Sequence, residues 1–302
     1  MSHQHTLEGQ TLSGRGRLVD YSNLVKLPHT VFALPFCLVG AILASYVAPV
    51  RLTDLGWILL AFTSARFAAM GFNRIVDRAF DARNPRTMGR EIPAGRLTVK
   101  EASLAVALSS AIFLFSAGML NRICLVLAPF ALGWIFFYSY SKRFTSWAHL
   151  VLGFALAIAP VGAYLAIADR WSDPPAALLV LAGAVLCWVA GFDVLYSLQD
   201  ELFDREQGLH SIPASLGGRR AILVSRLLHV VCVALFVTSA LLFTGAGPIF
   251  LTGVVVIALM LAYEQSLVSA DDLSKIDAAF FNINGAISLL FFALVLVERL
   301  LA

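Results

Sequence analysis

The chain is a succession of long apolar stretches separated by short polar ones. Nine stretches stand out, over about 30–48, 55–76, 101–119, 123–141, 149–168, 176–197, 221–243, 248–264 and 277–298. Each is close to the roughly 20 residues a helix needs to cross bilayer hydrocarbon. Pro35, Pro129, Pro160 and Gly162 lie inside them, which membrane helices tolerate where neighbours satisfy the freed backbone groups. The pattern predicts an all-α, polytopic membrane protein. A polar N-terminal tail occupies 1–29, and a single transmembrane domain of nine helices around a central polar cavity occupies 30–302.

Composition supports this reading. The chain is 59% hydrophobic and 14% charged, against about a quarter charged in a soluble domain. A mean hydropathy of +0.82 points the same way. The net charge of +3 gives no sign of a nucleic-acid partner. Cys37, Cys124, Cys187 and Cys232 all fall within apolar runs, without metal-ligand spacing, and read as small hydrophobes. The tail lacks a charged-then-apolar leader, so no cleaved export signal is expected. His3 and His5 read as part of that tail rather than as a metal site.

Charge orients the spans. Nine crossings place the N-terminus and the loops after spans two, four, six and eight on one side. That side holds 17 of the 22 Lys and Arg residues, the opposite side holds Arg51, Arg122, Arg170 and Arg299, and Arg66 alone lies within a span. An excess of basic residues marks the cytoplasmic side. The two long polar loops, after spans two and six, are both expected there. Each follows a span that ends in spaced acids, and each contains Ile-Pro-Ala (compare 73–95 with 193–217). This weak repeat suggests two halves, about 30–145 and 146–302.

The acids carry the chemistry. In NRIVDRAFD, Asn73, Asp77 and Asp81 recur every four residues, and on a helix they share one face. In DVLYSLQDELFD, Asp193, Tyr196, Asp200 and Asp204 are spaced three, four and four apart, again one helical stripe. Acids at membrane helix ends are costly against lipid, so both stripes should face a polar cavity. Carboxylates at this spacing suit hard cations. Mg²⁺ takes one or two protein carboxylates and completes its shell with water and phosphate oxygens. Two facing stripes therefore suit Mg²⁺ bridging a diphosphate, with Arg86, Arg90, Lys142 and Arg143 placed to neutralise its oxygens. Arg66, two turns before Asn73, either pairs or snorkels locally or reaches the same cavity. Tyr138 and Tyr140 fit an interfacial belt, and Asn282 and Asn284 fit helix–helix hydrogen bonding.

At these residues the chain resembles the UbiA superfamily of intramembrane prenyltransferases. The family patterns NDxxDxxxD and DxxxD or YxxxD are similar to Asn73-xxx-Asp77-xxx-Asp81 and to Asp193-xx-Tyr196-xxx-Asp200-xxx-Asp204. The resemblance extends to Arg66, to Tyr138-xxx-Lys142-Arg143 and to the nine-span layout. FNRIVDRAFDARNPRTMGREIPAG and FDVLYSLQDELFDREQGLHSIPASLG look like the bacterial quinone-pathway branch. That branch includes 4-hydroxybenzoate polyprenyltransferases and a group assigned to menaquinone synthesis through futalosine, which acts on a dihydroxynaphthoate. Two departures stand out. Arg74 occupies a position where much of the family has Asp, which gives Asn73 and Asp77 more weight. The stretch Lys26-Leu-Pro28-His29 replaces a usual Arg-x-Asp-Lys-Pro, so neither Lys26 nor His29 receives an acceptor role.

The resemblance implies Mg²⁺-dependent transfer of a polyprenyl group from its diphosphate to an aromatic acid, at the cytoplasmic face of a bacterial-type inner membrane. It implies Asp77, Asp81, Asp200 and Asp204 as principal metal ligands supported by Asn73, and Arg66, Lys142 and Arg143 as diphosphate contacts. Asp77, Asp200, Asp193 and Tyr196 are the expected catalytic residues, and Asp193 and Tyr196 orient either the acceptor or the metal shell. A secondary transporter is the reading from another class. Transporter sites favour broken helices at mid-bilayer, whereas these acids gather at one face. A phosphatidyl-type transferase would need an Asp-Gly and Ala-Arg run that this chain lacks. The acceptor ring and the tail length are not encoded in the acids.

Overall fold

The computed structural model describes residues 12, 16–26 and 30–302, with side chains omitted over 30–32; His3, His5 and His29 lie outside the described residues. The regular structure of the described residues is helical, with no extended strand among them. Eight helices are long and apolar enough to cross a membrane, and a ninth, shorter apolar one precedes them. These nine are α2 (Thr30–Ala44), α3 (Leu52–Asp81), α4 (Val99–Leu120), α5 (Arg122–Ser141), α6 (Ala148–Ala168), α7 (Ala176–Tyr196), α10 (Gly218–Leu242), α11 (Pro248–Leu267) and α12 (Asn284–Leu301). Three short helices join them: α1 (Arg17–Leu24), α8 (Glu201–Glu206) and α9 (Ile212–Leu216). The apolar pattern thus translates into the expected nine-helix membrane bundle.

Three local departures from the sequence pattern matter for function. First, part of the stretch read as a polar tail is helical. Leu24 and Val25 at the end of α1 are buried with Leu97 and Ala102, and Arg17 bonds Glu101 at 2.7 Å. Second, α3 continues five residues past the apolar run and ends at Asp81. Its 30 residues span about 45 Å, beyond the roughly 30 Å of hydrocarbon. Its last turns carry Asn73, Asp77 and Asp81. Third, the helix expected to run through the second acid cluster is interrupted. It ends at Tyr196, tightens into a 3₁₀ turn over Ser197–Asp200, and resumes as α8.

The core centres on α7, whose Leu178, Leu181, Ala184, Trp188 and Val189 are fully or almost fully buried. Trp188 packs on Phe36 of α2 at 4.5 Å between ring centroids, and Phe36 continues to Phe236 of α10 and Phe291 of α12. Small residues let backbones meet where side chains would hold them apart. A Cβ on Gly40 would collide with the Pro160 carbonyl of α6, and one on Gly153 would lie 2.5 Å from the Leu186 carbonyl of α7. These contacts fix α2 against α6 and α6 against α7, as small residues do in membrane bundles. By contrast α4 and α5 turn exposed Leu104, Leu108, Phe115, Val126 and Phe130 outward, as a lipid-facing surface requires.

Two polar devices lock the far part of the bundle. Asn284, read above as a helix–helix bond, accepts from Trp188 Nε1 at 2.7 Å and donates to Glu264 Oε1 at 3.0 Å, joining α12, α7 and α11. Glu298 of α12 accepts from the backbone N–H groups of Gly247, Ile249 and Phe250 at 2.9–3.0 Å. It therefore caps the start of α11 with a carboxylate, where the helix dipole favours negative charge. Charge-assisted bonds of this kind are worth about 1.5–3 kcal/mol each. Glu298→Ala is expected to lower the melting temperature of detergent-purified protein clearly, and Glu298→Gln, which keeps one of the two acceptor oxygens, to lower it less.

Candidate active site

A cavity of about 280 Å³ opens where the acid-bearing ends of the helices converge. It gathers every residue singled out in the sequence: Arg66, Asn73, Asp77 and Asp81 from α3; Arg86 and Arg90 from the following loop; Lys142 and Arg143 after α5; Asp193 and Tyr196 from α7; and Asp200 and Asp204 beyond it. Tyr138 also lines it, while Tyr140 is exposed on the outer face and fits the belt reading. The change of helical pitch after Tyr196 does not scatter the second stripe. It keeps Asp193, Tyr196, Asp200 and Asp204 on one wall.

The cations are not a free lining, as the sequence suggested, but partners of individual acids. Arg86 grips Asp200 with two bonds, Nη2 to Oδ2 at 2.6 Å and Nε to Oδ1 at 3.0 Å. Asn84, unnoticed in the sequence, adds a third bond to Asp200 Oδ1 at 3.0 Å. Arg86 also donates to the Tyr196 hydroxyl at 3.3 Å. The loop that leaves the first cluster thus reaches across to the second. Arg90 turns back to Asp81 at 2.6 Å, and Arg143 stands 3.6 Å from Asp77, which also accepts from Asn73 at 2.8 Å. Lys142 is 4.0 Å from Asp204. Burial works against its charge, but Asp204, Asp200 and Asp193 outweigh that and hold its ammonium above the ordinary lysine range. Lys142 therefore stays protonated at any physiological pH.

Asp193 differs from the other acids. Its partner is His149, fully buried in the first turn of α6, at 2.6 Å from Nδ1 to Oδ2. A lone histidine inside an apolar run gives no periodic signal, which is why the sequence did not flag it. Below the charged rim the wall is aromatic. Tyr196 stacks on Phe280 at 4.0 Å, and Phe192 and Phe281 meet Phe280 edge-on at 5.2 and 4.7 Å. Phe280 and Phe281 sit on a π-helical turn, Ala278–Ile283, that precedes α12. Such wide turns often mark functional sites because they redirect side chains. Lys26 lies 5.9 Å over the Phe281 ring. Leu152, Leu156 and Val189 continue the wall into the bundle.

Among the described residues, no three acid, histidine or cysteine side chains converge on one point as a closed metal cage. The donor set nevertheless fits a hard cation that keeps most of its shell for other oxygens. Asp81 Oδ2 and Asp204 Oδ2 are buried oxygens without a hydrogen-bond partner, one from each cluster. An open pair of carboxylates suits Mg²⁺, which dehydrates reluctantly and shares its shell with phosphate.

Fold and site together define a polytopic all-helical membrane protein with a charged, aromatic-backed cavity at one face. Residues 33–293 match the UbiA prenyltransferase family. A 4-hydroxybenzoate octaprenyltransferase from Cronobacter sakazakii is 30% identical over 288 residues, 93% of this chain and 96% of its own length. The apo structure of a UbiA homolog from Aeropyrum pernix K1 is 34% identical, with a TM-score of 0.81 over 90% of this chain and 98% of that one. A UbiA homolog from Archaeoglobus fulgidus bound to DMAPP and Mg²⁺ shares the fold at 19% identity, with a TM-score of 0.73 over 94% and 100% of the two chains. The chain belongs to the UbiA prenyltransferase family and is an integral membrane enzyme.

The Arg86–Asp200 pair is the most testable element of the geometry. Removing one partner of a buried pair typically costs about 3–5 kcal/mol, because the other charge is stranded. Arg86→Ala is expected to destabilise the protein strongly in thermal unfolding, and adding Asp200→Asn to recover part of the loss. Strictly additive effects would show that the pair is not coupled.

Proposed function

We propose that this enzyme transfers a polyprenyl group from polyprenyl diphosphate to the ring of a 4-hydroxybenzoate-type aromatic acid in respiratory quinone biosynthesis, with Mg²⁺. The observation that carries the proposal is the layering of one cavity: paired acids and cations at the rim, flat aromatic rings beneath, aliphatic side chains deeper. Those layers suit a diphosphate head, an aromatic acceptor and a polyprenyl tail in turn. The A. fulgidus relative's ligands and the name of the C. sakazakii relative support the same reading. The basic residues gathered on this side support the cytoplasmic face of an inner membrane for the site.

Asn73, Asp77, Asp81, Asp200 and Asp204 would hold the metal, which when bound supplies positive charge against the departing diphosphate. Arg66, Arg86, Arg90, Lys142 and Arg143 bind diphosphate oxygens. Arg86 and Arg90 already neutralise Asp200 and Asp81. Donor binding then lets these arginines turn to the anion, and the carboxylates they release would hold the cation, which limits the burial of uncompensated charge. As the allylic C–O bond breaks, the aromatic wall of Phe192, Tyr196, Phe280 and Phe281 offers π electrons to the developing cation. The acceptor ring carbon forms a C–C bond to the allylic carbon, the C–O bonding pair leaves with the diphosphate, and the displaced ring proton passes to that released diphosphate, which restores aromaticity. The closed aromatic wall keeps water from the cation.

Asp77→Ala is expected to abolish product formation in Mg²⁺-containing membranes while the protein still accumulates, and Asp200→Ala, which strands Arg86, to abolish it together with a loss of thermal stability. EDTA should stop the wild type and added Mg²⁺ should restore it. Turnover without divalent metal would refute the metal assignment. Purified protein offered 4-hydroxybenzoate and 1,4-dihydroxy-6-naphthoate together, with geranyl and longer diphosphates, should prenylate the benzoate, as seen by mass spectrometry. Exclusive prenylation of the naphthoate would move the enzyme to menaquinone synthesis.

A further inference from the structure

The geometry points to His149 as a positioning residue for the aromatic acceptor: it aims Asp193 into the cavity to receive a hydrogen bond from the acceptor's ring hydroxyl. The inference rests on the prenyl-transfer reading. It begins with the two bonds of the imidazole. Nε2 of His149 accepts the backbone N–H of Ile212 at 3.3 Å, so it cannot itself carry a proton. The proton must then be on Nδ1, which donates to Asp193 Oδ2 at 2.6 Å. The imidazole is neutral and held as the Nδ1–H tautomer, the minor form of histidine in water. A buried N–H of the short helix α9 thereby dictates which way α7's carboxylate is held.

The consequence is a carboxylate with one oxygen engaged and one to spare. His149 is fully buried, whereas the Asp193 side chain is 18% exposed, and Asp193 lines the cavity. Asp200 is gripped by Arg86, Asp81 by Arg90 and Asp77 by Asn73 and Arg143, so these acids stand in the charge-paired rim. Asp193 instead takes its hydrogen bond from a neutral group, feels Lys142 only through space, and keeps its second oxygen for another donor. One turn further along α7 is Tyr196, stacked on Phe280 and overlain by the Arg86 guanidinium at 5.4 Å, part of an aromatic wall against which a planar ring can pack. A hydroxyl on that ring reaches a charged acceptor beside the stacking surface. The bond fixes the ring's rotation and pushes electron density into the ring. The close approach of α6 and α7 at Gly153 holds the histidine in reach of Asp193.

The test separates acceptor from donor. His149→Phe fills the space and removes both bonds, and His149→Asn keeps an amide donor near the Nδ1 position. Steady-state kinetics with a hydroxylated aromatic acid and geranyl diphosphate should show acceptor KM raised about tenfold to a hundredfold in His149→Phe, the size of one hydrogen bond to a charge. Donor KM and Mg²⁺ dependence should stay within about twofold of wild type, and His149→Asn should recover most of the loss. An unchanged acceptor KM, an equal rise in donor KM, or an Asn variant no better than Phe would overturn the inference. If His149→Phe does not fold, ¹⁵N NMR of histidine-labelled wild type decides. One imidazole should show a protonated Nδ1 and bare Nε2 that vanish in His149→Asn, and a protonated Nε2 would overturn the assignment. Absence of any turnover by wild type would instead refute prenyl transfer and leave the tautomer result standing.

Discussion

Carboxylates at the ends of membrane helices are tolerated only when something nearby answers their charge, and here the answer comes from loops rather than from neighbouring helices. Arg86 leaves the first half of the chain to grip Asp200 in the second, joined there by Asn84, and Arg83 reaches Gln207 at 3.2 Å alongside. Lys142 and Arg143 lie between the clusters and face Asp204 and Asp77. The need for compensation therefore decides how the loops fold, and the loops in turn roof the cavity. The same pairs leave both signs of charge interleaved at the cavity rim.

What could be read from the sequence was what has a period. The spans and the spacing of Asn73, Asp77 and Asp81 are repeat signals along one chain, and both appear in the fold. The partners of the acids have no period. Nothing in the spacing says that Arg86 and Asn84 meet a carboxylate 114 and 116 residues away, because that depends on the path of an irregular loop. His149 was hidden for a related reason: its meaning comes from Asp193 on the next helix and a backbone N–H of a third element. The 3₁₀ turn after Tyr196 was missed because the four-residue spacing also fits a continuous helix. The helix over Arg17–Leu24 was missed because its apolar residues are too few to stand out from a polar tail.

The aromatic wall shows a different use of irregularity. The π-helical turn before α12 aims Phe280 and Phe281 toward Tyr196 and Phe192, so four rings from two helices form one surface. Asn284, directly after the turn, accepts from Trp188 and donates to the Phe280 carbonyl at 3.2 Å. A side-chain amide thus satisfies one backbone group beside the turn, as an irregular segment at membrane depth requires.

The length of α3 ties the first acid stripe to its surroundings in one further way. A helix longer than the hydrocarbon is thick answers by tilting or by projecting, and each ångström of mismatch carries a small cost. Asn73, Asp77 and Asp81 ride on the last turns of that helix, whereas Asp193 and Tyr196 sit on α7, the buried centre of the bundle. Bilayer thickness therefore acts unequally on the two stripes: the helix that must adjust to it carries the first, and a helix enclosed by its neighbours carries the start of the second.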